Sequence, residues 1–236
     1  MKDVYIIVIN DTNYYLLKCK EGYLLIDCGW VGKYSDFKNK LSKLNICVDS
    51  IKYILLTHHH HDHAALVEDI RKESNCKIIA HKNAINYMQK GMTYTKKTKS
   101  YNIWVKLLDM ILSPFIKYNY TPINLTNYDI IVNNDRVDIY NLTGIQGKII
   151  HTPGHSKDSI SLLLSSGDIF VGDVAMNTLR VFGQKVRPLE AESFNEVYKS
   201  WGKIIQCGAI TIYPAHGKCF SVEELKKCLN KKQETI

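Results

Sequence analysis

The stretch Thr57-His58-His59-His60-His61-Asp62-His63 holds five of the nine histidines of a 236-residue chain. It directly follows an apolar run over 51–56, which has the length and composition of a buried strand. His58 and His60 are two residues apart, so an extended backbone turns both side chains toward the same space. Neutral imidazole and carboxylate are ligands that suit zinc and neighbouring metals. A tag-like tract would sit at a terminus, so the stretch predicts a metal site at a strand end.

Short strands and helices alternate on both sides of this stretch, as in a sheet with helices outside it. Strands are predicted over 4–9, 14–18, 23–26, 51–56, 77–80, 136–140, 147–151, 159–164, 169–171 and 209–213. Helices are predicted over 33–44, 62–72, 193–205 and 222–229. No repeat or low-complexity linker divides the chain, so residues 1–236 are interpreted as a single domain.

The segment at about 90–125 differs from its surroundings and is interpreted as an insertion, or lid, on the main body. A polar, Lys-containing loop precedes an amphipathic helix that ends before Pro114. Trp104, Leu108 and Ile111 of this helix have two interpretations: they face the acyl chain of a substrate, or they cover a core. Tyr118 and Tyr120 beside the helix are weaker candidates for substrate contact.

Composition and charge narrow the class of protein. Apolar residues make up 45% and charged residues 23%, as in ordinary globular domains. No apolar stretch reaches the ~18 residues of a membrane span, and the start of the chain resembles no signal peptide; we expect a cytoplasmic protein. Seven scattered cysteines indicate reduced thiols. The net charge of +8, with lysines at 96, 97 and 99 and at 226, 227, 231 and 232, indicates a solvated surface more than a nucleic-acid site.

Four further motifs accompany the histidine stretch in chain order: Leu25-Ile26-Asp27-Cys28-Gly29, Thr152-Pro153-Gly154-His155-Ser156, Phe170-Val171-Gly172-Asp173 and Tyr213-Pro214-Ala215-His216-Gly217. Together with the HxHxDH pattern at 58–63, they resemble the motifs of the metallo-β-lactamase-fold hydrolases. The resemblance extends from about residue 5 to residue 217. It implies an α/β fold, an αββα four-layer sandwich of two mixed sheets with helices outside and the site at one edge.

The resemblance also implies a ligand set for two metal ions. His58, His60 and His155 would hold the first ion. Asp62, His63 and His216 would hold the second, with Asp173 between the two. Zinc is the default for such ligands, and iron or manganese fit them as well. Asp27 has two interpretations, a hydrogen-bond partner that orients a ligand or a buried structural carboxylate.

Two such ions lower the pKa of a shared water, so that a metal-bound hydroxide attacks the substrate. Asp62 is the predicted catalytic residue, which orients this nucleophile and carries a proton to the leaving group. His59, His61, His81 and His151 are not expected to bind metal. The first two would lie behind the ligands or be exposed, His81 would be structural, and His151 would lie in the core or near the site. Cys28 is interpreted as a small buried side chain rather than a nucleophile.

The presence of both the Asp62-His63 pair and Asp173 favours the glyoxalase II, lactonase and nuclease side of this family over true β-lactamases. Met176 stands where similar lactonases carry a tyrosine that contacts substrate. The leading hypothesis is a hydrolase of a small ester, thioester or lactone. A phosphodiesterase or RNA-processing nuclease is the alternative, and a non-enzymatic metal-binding module is a third. The sequence leaves the oligomeric state open.

Overall fold

The computed structural model describes residues 4–94, 98–180, 183 and 185–233. Lys96 and Lys97 lie outside the described residues, and so does the side chain of Lys232. The strands are β1 (Val4–Ile9), β2 (Thr12–Cys19), β3 (Gly22–Ile26), β4 (Ile51–Leu55), β5 (Lys77–His81), β6 (Lys99–Ser100), β7 (Ile130–Val132), β8 (Arg136–Asp138), β9 (Gly147–His151), β10 (Ile160–Leu164), β11 (Asp168–Gly172), β12 (Glu190–Ala191), β13 (Thr211–Pro214) and β14 (Phe220–Ser221). The helices are α1 (Tyr34–Lys43), α2 (His61–Ala64), α3 (Val67–Ser74), α4 (Ile85–Lys90), α5 (Ile103–Leu112), α6 (Tyr140–Thr143), α7 (Phe194–Gln206) and α8 (Glu223–Gln233).

Two six-stranded sheets and a short ribbon contain these strands. The sheet orders are β1-β2-β3-β4-β5-β7 and β14-β13-β11-β10-β9-β8, and the ribbon pairs β12 with β6. Strands β3, β4, β5 and β7 run parallel to one another, as do β11 and β13. Neighbouring parallel strands have their carboxyl ends at the same edge of a sheet. The loops that follow these strands can therefore contribute side chains to one common site.

Alternate residues of the central strands face opposite layers, as strand geometry requires. On β3, Leu25 packs in a core with residues of α1 and α3, whereas Leu24 and Ile26 pack between the two sheets. Phe170 of β11 also packs between the sheets, and Trp201 of α7 packs in a core on the far side of the second sheet. The three cores therefore lie between four successive layers, in the order helices, sheet, sheet, helices. This confirms the predicted αββα sandwich.

The sequence predicts one continuous helix over 62–72. This prediction is wrong, because the structure has two separate helices there, α2 and α3. The loop after β3 explains the break. The Cys28 N–H donates to the His63 carbonyl at 2.7 Å, and the Leu66 N–H donates to the Cys28 carbonyl at 3.0 Å. These backbone groups are bonded outside the segment and do not continue a helix.

Two further differences lie in the middle of the chain. The strand predicted over 136–140 ends at Asp138, whose carboxylate accepts the Tyr140 N–H at 2.8 Å where α6 begins. Strand β7 was not predicted, because three residues are too few for a periodic pattern. None of the described helices is long and apolar enough to cross a membrane. All seven cysteines are free, as predicted.

Candidate metal centre

The seven predicted ligand side chains meet at one edge of the sandwich. His58 and His60 follow β4, Asp62 and His63 lie in α2, and His155, Asp173 and His216 follow β9, β11 and β13. They form a first cluster of His58, His60 and His155 and a second cluster of Asp62, His63, Asp173 and His216. In each cluster the possible ligand atoms lie within 4.8 Å of one another, and every residue is buried.

The distances within the clusters are those expected around a single ion. The His60 Nδ1 atom lies 3.1 Å from the His155 Nε2 atom. The Asp62 Oδ2 atom lies 3.4 Å from the His63 Nε2 atom and 3.3 Å from the His216 Nε2 atom. Two ligands of a tetrahedral zinc ion are separated by roughly 3.4 Å. Each cluster is therefore spaced to surround an ion.

Asp173 connects the two clusters. Its Oδ2 atom lies 3.6 Å from the His155 Nε2 atom, and its Oδ1 atom lies 3.4 Å and 3.5 Å from the Nε2 atoms of His63 and His216. Gly172 precedes it with φ of 54°, and a Cβ there would lie 2.4 Å from the Thr57 Oγ1 atom. Only glycine lets β11 end this close to the histidine stretch, which puts the carboxylate between the clusters.

Buried polar atoms without hydrogen-bond partners point into both clusters. Among the described residues, the His58 Nε2, His63 Nε2 and Asp173 Oδ1 atoms have no such partner. Leaving a buried polar atom unbonded costs about 1–3 kcal/mol. Cations would satisfy all three atoms, so the donor set fits divalent metal ions.

The outer nitrogen of three histidines faces an oxygen that can only accept a hydrogen bond. The Nδ1 atoms of His63, His155 and His216 donate to the Asp27 carboxylate at 2.9 Å, the Glu190 carbonyl at 2.8 Å and the Asp11 carbonyl at 3.1 Å. Each Nδ1 atom must then carry the proton, and each Nε2 atom keeps its lone pair for a metal.

Asp27 has both of its predicted roles: it is a buried structural carboxylate, and it orients a ligand. It is buried, and its carboxylate accepts the Thr57 N–H at 2.8 Å and the Thr57 hydroxyl at 2.7 Å. The same carboxylate holds the His63 ring in place. It therefore fixes both the backbone of the histidine stretch and one ligand of the second cluster.

We expect Asp27→Asn to lower the affinity of the second cluster for metal by about 10–100-fold, as for other residues that orient ligands. The amide loses the charge that favours the Nδ1–H form of His63. Competition with a chromogenic chelator measures the affinity. Asp129→Asn is the matched control, because the Asp129 side chain is also buried but hydrogen-bonds Arg71 and the Ile78 N–H, away from the site. Wild-type affinity in the Asp27 variant would contradict this role.

Protonation distinguishes the two clusters. Burial alone would lower the pKa of His63, but the carboxylates of Asp62 and Asp173 raise it well above its ordinary value. Burial also opposes the charged form of His216, yet Asp173 and Asp62 raise its pKa well above the ordinary value too. Without metal, both rings therefore hold two protons through neutral pH, and a metal ion must displace one from each.

We expect metal binding to the metal-free protein to release about two protons from the ligand side chains near neutral pH, in addition to any from a bound water. These come from His63 and His216, because burial and the neighbouring histidines hold the pKa of His58 and His60 well below its ordinary value. The affinity of the second cluster therefore rises with pH as these protons leave. Titration with metal in weak buffer containing a pH indicator measures the release, and an affinity independent of pH would contradict it.

His59 and His61 are absent from both clusters, as predicted, and of the two expected positions, behind the ligands or exposed, the structure shows the buried one. The His59 backbone N–H and ring Nδ1 atom both lie 2.9 Å from the Asp158 carboxylate, and Tyr87 stacks on the ring. Burial would raise the pKa of Asp158, but His59 lowers it below its ordinary value. Asp158 was missed because its partner is 99 residues away and no spacing signals the pair.

His61 is buried beside the second cluster. Its backbone N–H donates to the Thr93 hydroxyl at 2.7 Å, and its Nδ1 atom lies 3.1 Å from the same oxygen. The rings of Trp30 and Tyr118 contact it edge-on at 5.1 and 5.2 Å between centroids. Thr93 and Trp30 were not singled out in the sequence, because neither residue type nor spacing marks them.

His81 and His151 stack on each other, with ring centroids 4.1 Å apart, outside both clusters. This agrees with the predicted structural role of His81, whereas His151, expected in the core or near the site, is only partly buried. Cys28 is buried, and burial raises the pKa of its thiol well above the ordinary value. A thiol held protonated is a poor nucleophile, so the interpretation as a small core residue is supported.

A cavity of about 270 Å³ opens over the two clusters. His60, His61, Asp62, His155, Asp173 and His216 line its polar side. Apolar side chains line the rest, among them Trp30, Leu108, Leu112, Ile116, Met176 and Leu189. A wider cleft of about 680 Å³ lies around residues 138–148 and 163–167 but contains neither cluster, so the smaller cavity is the candidate substrate site.

The helix of the 90–125 segment, α5, forms one wall of this cavity. Leu108 lines the cavity, as one interpretation required. Trp104 and Ile111 do not, because they lie on the outer face of α5 and are 62% and 66% exposed; the prediction is wrong for these two. Tyr118 lines the cavity, whereas the Tyr120 hydroxyl is buried and donates to the His59 carbonyl at 2.7 Å. The interpretation of 90–125 as an insertion stays a prediction.

Known proteins share this architecture. A beta-lactamase-like protein 2 homolog from Drosophila melanogaster is 24% identical over 217 residues, which cover 89% of this chain and 59% of that protein. A probable hydroxyacylglutathione hydrolase from Schizosaccharomyces pombe is 29% identical over 140 residues, which cover 58% of this chain and 37% of that protein. The matches thus span less than two thirds of either relative.

A crystal structure of a metallo-beta-lactamase family protein from Thermus thermophilus superimposes with a TM-score of 0.71, at 18% identity, over 99% of this chain and 80% of that one. At this identity the likeness establishes the fold. The family model of the metallo-beta-lactamase superfamily matches residues 9–216. The chain therefore belongs to the metallo-beta-lactamase superfamily, and its His and Asp clusters are able to bind metal ions.

Proposed function

We propose that the protein is a dinuclear zinc hydrolase that cleaves a small ester, thioester or lactone with an apolar acyl part. One observation carries the proposal: two clusters of ligands share Asp173 at the floor of a cavity with apolar walls. In this proposal the first cluster holds one ion and the second cluster holds the other, with Asp173 between them.

Two bound divalent ions would lower the pKa of a water molecule and polarise the carbonyl of the substrate. The protein supplies the remaining steps. Burial would raise the pKa of Asp62, but His63 and His216 hold it well below its ordinary value, so the carboxylate is ionised. Its Oδ2 atom faces His63 and His216, and Asp62 borders the cavity. Asp62 orients the attacking water, accepts its proton and passes the proton to the leaving group.

The cavity walls select the substrate. Leu108, Leu112 and Ile116 come from α5 and the turn after it, and Met176 and Leu189 face them across the cavity. These side chains exclude water and accept an acyl chain. Among the described residues, no lysine or arginine lines the cavity, so it offers no fixed cation for a second phosphate of a nucleic acid. This favours the ester, thioester or lactone over the phosphodiester.

A panel of substrates tests the proposal on the zinc-loaded protein. It compares nitrophenyl esters of increasing acyl length, a thioester, a lactone, a β-lactam and a bis-nitrophenyl phosphodiester. We expect turnover of at least one of the first three classes, with kcat/KM rising with acyl length. Asp62→Asn, measured in parallel, identifies activity from contaminating enzymes. Hydrolysis of the phosphodiester alone would overturn the assignment in favour of the phosphodiesterase alternative.

A further inference from the structure

The outer face of α5 is an exposed apolar surface with no partner among the described residues. Its side chains are Ile103, Trp104, Leu107, Met110 and Ile111, followed by Phe115 in the turn after the helix. They are between 44% and 84% exposed. We call these six residues the α5 face. Contiguous apolar patches of this kind on a globular protein mark a binding surface.

The α5 face is separate from the substrate cavity. Val105, on the opposite side of the helix, is buried, and Val105, Leu108 and Leu112 line the cavity. Helical geometry puts positions 103, 107 and 110 on one side with 104 and 111 beside them. The helix is thus apolar on both sides, although only its inner side packs on the protein. An apolar helix face is normally covered, so the outer side of α5 needs a partner of its own.

The segment that carries the α5 face is rich in lysine. Residues 90–125 contain six lysines, at 90, 96, 97, 99, 106 and 117, and one acidic residue, Asp109. The segment therefore carries +5 of the net charge of +8. Lys99, Lys106 and Lys117 are exposed, and Lys106 lies on α5 itself. Lys90 is exposed as well, so four described lysines of this segment are accessible to an anionic partner.

We infer that the α5 face docks on an anionic lipid bilayer. The apolar side chains, with Trp104 among them, would enter the boundary between headgroups and acyl chains, while the lysines contact lipid phosphates. A second copy of the chain would bring the same lysines against one another across a twofold axis, which like charges oppose. A nucleic acid would match the lysines but offer nothing to Ile103, Met110 and Ile111. The inference goes beyond the proposed hydrolysis and does not depend on it.

Docking is tested by co-sedimentation of the full chain with vesicles of phosphatidylcholine alone or mixed equally with phosphatidylglycerol. We expect binding to the mixed vesicles that weakens with salt, and little binding to the neutral ones. Trp104→Ser, Ile111→Ser and Phe115→Ser, combined in one variant, should lower the partition coefficient at least ~10-fold, because three buried apolar side chains are lost.

The matched control combines Ile6→Ser, Val8→Ser and Ile210→Ser, which are exposed apolar residues 51%, 43% and 61% accessible outside α5. This variant should bind like wild type. A second readout needs no α5 variant: the emission of the exposed Trp104 should shift to shorter wavelength with mixed vesicles, whereas Trp201 is already buried. The shift should vanish in Trp104→Phe, which keeps the face apolar.

Three results would overturn the inference. The first is the absence of binding to the mixed vesicles together with an unchanged Trp104 emission. The second is a dimer in solution that the triple α5 variant converts to monomers, which would assign the face to a second copy. The third is equal vesicle binding by the triple α5 variant and wild type, which would mean that the lysines alone attract the vesicles and that the α5 face takes no part.

Discussion

Asp62→Asn is expected to lower ester or lactone turnover by about 10²–10⁴-fold, the contribution of a positioned proton-transfer group. Asparagine keeps the size of the side chain, but it has no negative charge and accepts no proton from water. The first cluster does not include Asp62, so the variant should still bind at least one metal ion. Because Asp62 also belongs to the second cluster, elemental analysis shows whether the second ion is retained, and steady-state kinetics then separate the loss of proton transfer from the loss of that ion.

Asp69→Asn is the control for this substitution. Asp69 lies on the next helix, α3, and its half-exposed carboxylate is 3.8 Å from Lys72. It should retain wild-type turnover and metal content. Undiminished turnover in Asp62→Asn would remove Asp62 from the mechanism, because the water would then be activated without it. Complete loss of metal would make Asp62 a structural ligand for both ions.

Asp173→Asn is expected to cause the second large loss, a fall to at most one metal ion per chain and a decrease in turnover of at least ~100-fold. Removing a residue that only orients a ligand already costs about 10–100-fold, and Asp173 contacts ligands of both clusters. The carboxylate is ionised before metal binds, because His216 and His63 hold the pKa of Asp173 well below its ordinary value against the effect of burial.

Asp168→Asn is the matched control for Asp173→Asn. It lies at the opposite end of the same strand, β11, where its carboxylate accepts a hydrogen bond from Ser166 at the surface. Metal content and turnover should remain at wild-type values. If Asp173→Asn kept two metal ions and wild-type turnover, the clusters would not function as one centre.

The order of strands and helices and a metal site at the histidine stretch could be predicted from local pattern, whereas the αββα sandwich and the full ligand set were implied by the resemblance of the motifs to a known family. An apolar strand followed by His58 and His60 indicates ligands at a strand end, and the later motifs also follow predicted strands. Since the carboxyl ends of parallel strands share an edge, the loops that carry His58, Asp173 and His216 could meet. The structure brings all seven predicted ligand side chains to that edge.

The contacts that hold the clusters could not be predicted, because they join residues far apart in sequence. Asp158 contacts His59, and Thr93 contacts His61 across 32 residues. The break between α2 and α3 likewise depends on hydrogen bonds from Cys28 in a different loop. Nor does periodicity tell which side of α5 faces the cavity, since both sides are apolar. These features depend on tertiary packing, which a single sequence does not encode by spacing.

Metal content measured together with turnover tests the central claim most directly. The full chain, purified without added metal, is analysed for metal by elemental analysis, then stripped with a chelator and reloaded. We expect about two divalent ions per chain at full activity, loss of turnover on chelation and its return with zinc. Full turnover by protein that holds no more than about one ion per chain would contradict the dinuclear centre.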